Sequence, residues 1–183
     1  RTPTESDLRV LHVSDIHNNP LGVDFVEQLA RRFRADLILN TGDVTDYGTA
    51  LEDAVIQRLR QLPAQQLFVA GNHDSRTTVS ALRRAAKIQV LDGDATLSHG
   101  IRFAGWADPV SIREGYGDVN PSDEDLAALE ERIRGDVKAM AHRPDVLLVH
   151  SHRVAERLKG LAPVILYGHS HRPSVRRSAE GVL

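Results

Sequence analysis

Five short apolar runs, each ending in a cluster of polar side chains, constrain this chain more than any other feature of its sequence. They are RVLHV (9–13), DLILN (36–40), QLFVA (66–70), DVLLV (145–149) and VILYG (164–168). Runs this short, rich in Val, Leu and Ile and bounded by polar residues, read as strands buried on both faces. Helical patterns lie between them. Asp24 reads as the cap of a helix with Phe25, Val26, Leu29, Ala30 and Phe33 on one stripe. Residues 49–62 carry Leu51, Val55, Leu59 and Leu62 at helical spacing before Pro63 stops the run. Thr77 or Thr78 opens another helix with Val79, Leu82 and Ala86 inward. Ser122, three residues before Asp125, resembles a capping box ahead of Leu126, Leu129, Ile133, Val137 and Met140. A short helix is expected over 152–160. Residues 88–107 read as short strands with Gly-containing turns, which predicts a β-hairpin. The order is βαβαβα, a hairpin, then αβαβ: an α/β chain with its sheet covered on both faces. No repeat, low-complexity stretch or linker interrupts it, so residues 1–183 are expected to form one domain. Residues 111–122 are the segment expected to be a mobile loop.

The polar clusters say where chemistry belongs. The first run is followed by Ser14-Asp15-Ile16-His17, the second by Thr41-Gly42-Asp43-Val44-Thr45-Asp46, and the third by Gly71-Asn72-His73-Asp74. The fourth is followed by His150-Ser151-His152 and the fifth by His169-Ser170-His171. In sheets of this kind ligands bind beyond the carboxyl ends of the strands. Strands lying side by side would bring all five clusters to one rim. Asp15 and His17 are two apart, as are His169 and His171, so extended backbone would point each pair the same way.

Composition narrows the chemistry. The chain has no cysteine, which excludes disulfides, thiolate zinc sites and a cysteine nucleophile. Any metal must then be held by His, Asp, Glu or Asn. Carboxylate and imidazole together suit Mn, Fe, Zn or similar ions. The supply exceeds what one tetrahedral zinc needs, and two ions sharing a carboxylate fit it better. The net charge of −2 gives no strong nucleic-acid signal. No apolar run approaches the roughly 20 residues of a membrane helix. The chain opens on Arg1 and not Met, which reads as a fragment, a processed product or the ordered part of something longer.

Taken in order, Asp-x-His, Gly-Asp-x-x-Asp, Gly-Asn-His-Asp, a strand-end His and Gly-His-Ser-His resemble the calcineurin-like metallophosphoesterase family, from Val10 to His171. The resemblance implies a four-layer αββα sandwich and hydrolysis of phosphoester bonds by a metal-activated water. It implies that Asp15, His17 and His171 bind one divalent ion and that Asn72, His150 and His169 bind a second. Asp43 bridges the two in this reading, with Mn favoured over Fe, Zn, Ni or Mg. His73 becomes the general acid, Asp74 holds its orientation, and Asp46 supports the ligands from behind. Relatives usually continue beyond the last histidine pair into further strands, often with an Asn-Pro-Gly stretch. The chain stops at Leu183, so part of that sheet is expected to be missing.

Ser151-His152-Arg153 stands where many relatives have prolines, which makes His152 a competitor of His150 as ligand. His150, at the strand end after Val149, is preferred. His12 reads as a core residue with a satisfied hydrogen bond, and His99 and His142 as turn and helix-end residues. Asn18, Tyr47, Arg76 and Arg172 lie near the rim and could touch substrate, although solvation or a structural role explains each. Trp106 and Asp108 follow a strand at 101–105 and could support the site, although packing and turn formation explain them. A compact chain with little room for a specificity cap points to phosphodiesters ahead of phosphomonoesters. The alternatives are a nuclease, with a basic groove of Arg76, Arg153, Arg172, Arg176 and Arg177, and a non-catalytic metal-binding scaffold. A looser resemblance is to bacterial members in which this domain follows membrane-spanning segments. Localisation and oligomeric state are not legible.

Overall fold

The architecture was read from a computed structural model, which describes residues 7–49, 52–111 and 120–183. Most of the segment expected to be a mobile loop, 112–119, lies outside the described residues, as does Leu51.

Two sheets form, not one. The first joins β1 (Val10–Val13), β2 (Leu37–Asn40), β3 (Gln65–Phe68) and β4 (Ile88–Val90) in that order, with every pairing parallel. The connections run through α1 (Pro20–Phe33), α2 (Asp53–Arg60) and α3 (Arg76–Arg83). The chain then crosses at Asp92-Gly93 into a second sheet. Here β5 (Asp94–Ser98) and β6 (Ile101–Gly105) form an antiparallel hairpin. Next come β7 (Val146–Ser151) and β8 (Val164–Gly168), both parallel to β6 and reached through α4 (Asp123–Ala139) and α5 (His152–Arg157). The short strands β9 (Arg177–Ser178) and β10 (Gly181–Val182) complete the order β5-β6-β7-β8-β10-β9.

The hairpin expected over 88–107 is therefore β5 and β6 alone. Ile88–Val90 extends the parallel sheet instead, because α3 returns the chain to the edge of β3. Splitting the strands between two sheets is what makes four layers. Alternate residues of each buried strand face opposite ways. Ile38 and Phe68 pack on α1–α3, while Leu37, Leu39, Leu67 and Val69 meet Phe103 and Leu148 between the sheets. Ala104, Leu147, Val149 and Ile165 pack outward on α4 and α5, against Leu126, Ile133, Val154 and Leu158. The layers are α, β, β, α, as the αββα reading requires.

Several helix boundaries differ from the sequence reading. The first helix starts at Pro20, capped by the Asn19 side chain, which accepts from the N–H groups of Leu21 and Gly22. Asp24 lies inside it. Its buried side is Val23, Val26 and Ala30, whereas Phe25 and Phe33 face outward. The third helix is capped by Ser75, not Thr77 or Thr78, and buries Thr78, Val79 and Leu82; Ala86 lies beyond its end and is exposed, while Ala85 beside it is buried. Ser122 caps α4 as a capping box with Asp125. His12 makes its hydrogen bond, to Thr41 Oγ1 at 2.9 Å, but sits on the exposed side of β1 and not in the core.

Candidate metal centre

The carboxyl ends of β1, β2 and β3 meet those of β7 and β8 where the sheets face one another. Loop backbone joins them directly. Asp15 N–H donates to Gly42 O, and the Asp15 carboxylate accepts the His169 N–H at 2.9 Å. The polar residues do not continue their strands. Asp15, His17, Asn18, Asp43, His169 and His171 all take left-handed backbone, with φ from 47° to 66°. This overturns the extended i, i+2 argument: each pair leaves its strand in tight turns, and His169 and His171 join different groups. Non-glycine residues in this region cost energy and cluster at functional sites. Gly42 at φ 97° and Gly71 allow the turns to touch, since a Cβ on Gly71 would lie 2.2 Å from Asp43 Oδ1.

The described side chains gather in three overlapping groups, each with ligand atoms within 4.8 Å of one another: Asp15, His17 and His171; Asp43, His150 and His169; and His17, Asp43 and His73. In the first, His17 Nε2 is 3.2 Å from His171 Nε2, which is 3.5 Å from Asp15 Oδ1. In the second, His150 Nε2 is 3.0 Å from Asp43 Oδ2 and 3.1 Å from Asn72 Oδ1. Asp43 Oδ2 lies between the two, 3.8 Å from His17 Nε2. It is buried and accepts no well-formed hydrogen bond among the described residues.

The tautomers show what this arrangement needs. His150 Nδ1 donates to Thr41 O at 2.7 Å, and His17 Nδ1 donates to Asp46 Oδ1 at 3.0 Å. In each neutral ring Nε2 then carries a lone pair, and these lone pairs face oxygens or another histidine nitrogen. Acceptors converging on acceptors require a proton or a cation between them. With protein groups alone, the proton answers. Burial pushes the His150 imidazole down, but the Asp43 carboxylate 3.0 Å away outweighs it and pushes the pKa up to about 9. Burial likewise raises the Asp43 carboxyl, and His150 outweighs it and holds it below the usual carboxylate range. Metals compete with protons for such groups. The donor set therefore fits divalent cations of the Mn, Fe or Zn kind.

His73 N–H donates to Asp43 Oδ1 at 2.9 Å, and its ring stands edge-on to His17 at 4.9 Å. Nδ1 of that ring donates to the backbone carbonyl of Asp46 at 2.8 Å, the contact that had been expected of Asp74. The Asp74 carboxylate instead accepts N–H groups from Asp43, Val44, Thr45 and Gly71, and so builds the loop that presents Asp43. Burial, then the charge of Asp43, pushes Asp74 up to about 6. Asp46 serves twice, by side chain to His17 and by carbonyl to His73. Glu52 went unread in the sequence. It is buried and accepts the N–H groups of Asp46, Tyr47 and Thr49. The spelling Thr49-x-x-Glu52 is that of a capping box and could have marked it.

His152 belongs to none of the three groups; it opens α5 and stacks on His169 at 5.8 Å. His150 lies where the register of β7 against β8 shifts between Leu148 and Ser151, and such irregularities re-aim side chains. Asp108 is buried beside the site, and burial pushes its carboxyl up to about 6. Of the five arginines read as a basic groove, Arg153 pairs with Asp123 and Arg176 with Glu156.

Comparison with known proteins agrees with this geometry. A family model described as calcineurin-like phosphoesterase matches residues 8–173. An uncharacterized metallophosphoesterase of Aquifex aeolicus (strain VF5) is 27% identical over 182 residues, covering 93% of this chain. The chain spans 66% of that relative's length. The crystal structure of TT1561 from Thermus thermophilus superposes with a TM-score of 0.69 at 16% identity, covering 96% of this chain and 88% of that one. An archaeal phosphodiesterase superposes with a TM-score of 0.54 at 12% identity, covering 94% and 79%. At these identities the two structures speak for the fold alone.

Proposed function

The chain belongs to the calcineurin-like phosphoesterase family, and from that premise we propose that it hydrolyses phosphodiesters at a centre of two divalent ions. The observation that carries this reading is Asp43 Oδ2, a buried carboxylate oxygen without a well-formed hydrogen bond, set between two groups of imidazoles and carboxylate. Asp15, His17 and His171 hold one ion in this proposal; Asn72, His150 and His169 hold the other; Asp43 bridges them. Mn is the favoured metal. The ions supply Lewis acidity, polarising phosphoryl oxygens and acidifying water.

The chain's own residues supply the rest. Asp46 and Thr41 O fix the tautomers of His17 and His150, so that Nε2 of each faces inward. His73, held at Nδ1 by Asp46 O, is the general acid in its imidazolium form: Nδ1–H stays on the carbonyl, the second proton, at Nε2, goes to the leaving oxygen, and the ring is left neutral. The preference for diesters rests on the compactness of the chain. The pairing of Arg153 and Arg176 with carboxylates weighs against a nuclease groove.

The test is hydrolysis of bis(p-nitrophenyl) phosphate by chelator-stripped protein reloaded with Mn, Fe, Zn, Ni or Mg, with p-nitrophenyl phosphate in parallel. Turnover of the diester only after reloading is expected. Metal-loaded protein that turns over neither compound overturns the proposal, and faster turnover of the monoester overturns the diester preference.

A further inference from the structure

The outward face of α1 carries an unpartnered apolar ridge. Leu21, Phe25, Leu29 and Phe33 fall on every fourth residue, and Leu21, Phe25 and Phe33 are 76%, 61% and 60% exposed. Residues four apart stack along one side of a helix, so the four side chains form a continuous ridge about 18 Å long. The opposite side, Val23, Val26 and Ala30, already binds the helix to the first sheet. Charge is divided along the same helix. Its carboxylates are taken: Asp24 pairs with Arg58, and Glu27 with Arg31. Arg32 and Arg34, exposed beside Phe33, have no carboxylate partner among the described residues. With Arg9, Val10 and Phe33 they line an open hollow of about 590 Å³.

We propose that this ridge docks the domain on an anionic lipid surface, with Leu21, Phe25 and Phe33 entering the headgroup boundary and Arg32 and Arg34 meeting lipid phosphates. Aromatic and aliphatic side chains flanked by unpaired arginines are the composition that an interfacial helix uses. A second copy fits less well. Parallel twofold contact along this ridge would set Arg32 and Arg34 against their own equivalents, and antiparallel contact would lay them over the Pro20–Gly22 end of the other copy, which carries no carboxylate. No helix among the described residues is long and apolar enough to cross a membrane, so the contact is peripheral. Leu21 follows His17 by four residues, so docking would bring the rim of the metal centre close to the lipid phosphates. The inference stands on the surface of α1 and does not depend on the chemistry proposed for the centre.

Co-sedimentation of the chain with vesicles of phosphatidylcholine, alone or mixed with phosphatidylglycerol, tests it. Binding to the mixed vesicles only, weakening as salt is raised, is expected. Arg32→Gln with Arg34→Asn should weaken partition about 30-fold. Phe25→Ser with Phe33→Ser should weaken it at least about tenfold. Both pairs are exposed, so thermal melting and hydrolysis of a soluble substrate should match the parent. Equal partition on both vesicle types, no partition, or partition unchanged in either double variant overturns the proposal. So does a dimer, seen by sedimentation velocity, that the phenylalanine variant dissociates.

Discussion

At the scale of single residues, the site depends on which atom of each side chain is already occupied. His73 donates from Nδ1 to a carbonyl and therefore presents Nε2. His73→Ala should keep both metals, measured by elemental analysis, while losing about 10²–10⁴-fold in turnover on poor leaving groups. Asp43→Ala should instead lose metal. Equal metal loss in both variants would count against the general-acid role. Asp108 poses a different question. Its carboxyl is pushed up to about 6 by burial, against 3.8 ordinarily. The folded state holds this proton between those values and the unfolded state does not. The resulting stability is complete below the unfolded pKa and disappears as pH rises through about 6. In metal-stripped protein, Asp108→Asn should thus be more stable than the parent at pH 8, by about 1–3 kcal/mol, with the difference vanishing near pH 4. Urea unfolding at the two pH values measures it.

At the scale of elements, local sequence spoke clearly where one side chain closes one turn. Ser122 and Asp125 cap α4 reciprocally, and their spacing alone marks it. Ser122→Ala should cost about 1 kcal/mol and lower Tm by about 2–4 °C, with metal content unchanged. Calorimetry would show it. Apolar periodicity was less informative. Phe25 and Phe33 share the apolar pattern of α1 with Val26 and Ala30, yet they face outward, because the buried side is centred on Val23, Val26 and Ala30. Three apolar strands in 88–107 were legible, but not that Ile88–Val90 and the hairpin join different sheets. Sheet membership is a choice among long-range pairings, and strand composition does not encode it.

At the scale of the molecule, the candidate centre ties two sheets together. Asp15, His17 and Asp43 come from the first, and His150, His169 and His171 from the second. Ions bound there would couple the halves as well as serve chemistry. Chelation should lower Tm, and readdition of metal at 100 times its dissociation constant should restore about 2.7 kcal/mol. A melting curve indifferent to chelator would show that the interlayer core of Leu37, Leu39, Leu67, Phe103 and Leu148 holds the sheets without help.

The sequence by itself determined the strand-forming runs, the polar cluster after each, and the absence of thiol chemistry, because these are properties of composition and short spacing. It also named the residues that meet. Only the tertiary structure decided how they meet. Left-handed backbone at Asp15, His17, Asp43, His169 and His171 keeps Asp15 and His17 in one group and sends His169 and His171 to different ones. Asp46 and Thr41 fix the tautomers, and Asp74 spends its carboxylate on loop N–H groups and not on His73. These outcomes depend on hydrogen bonds between turns that are 27 to 109 residues apart in the chain. The bonds of Asp46 and Asp74 exist only once the first sheet has assembled, and that of His150 to Thr41 only once the two sheets face each other.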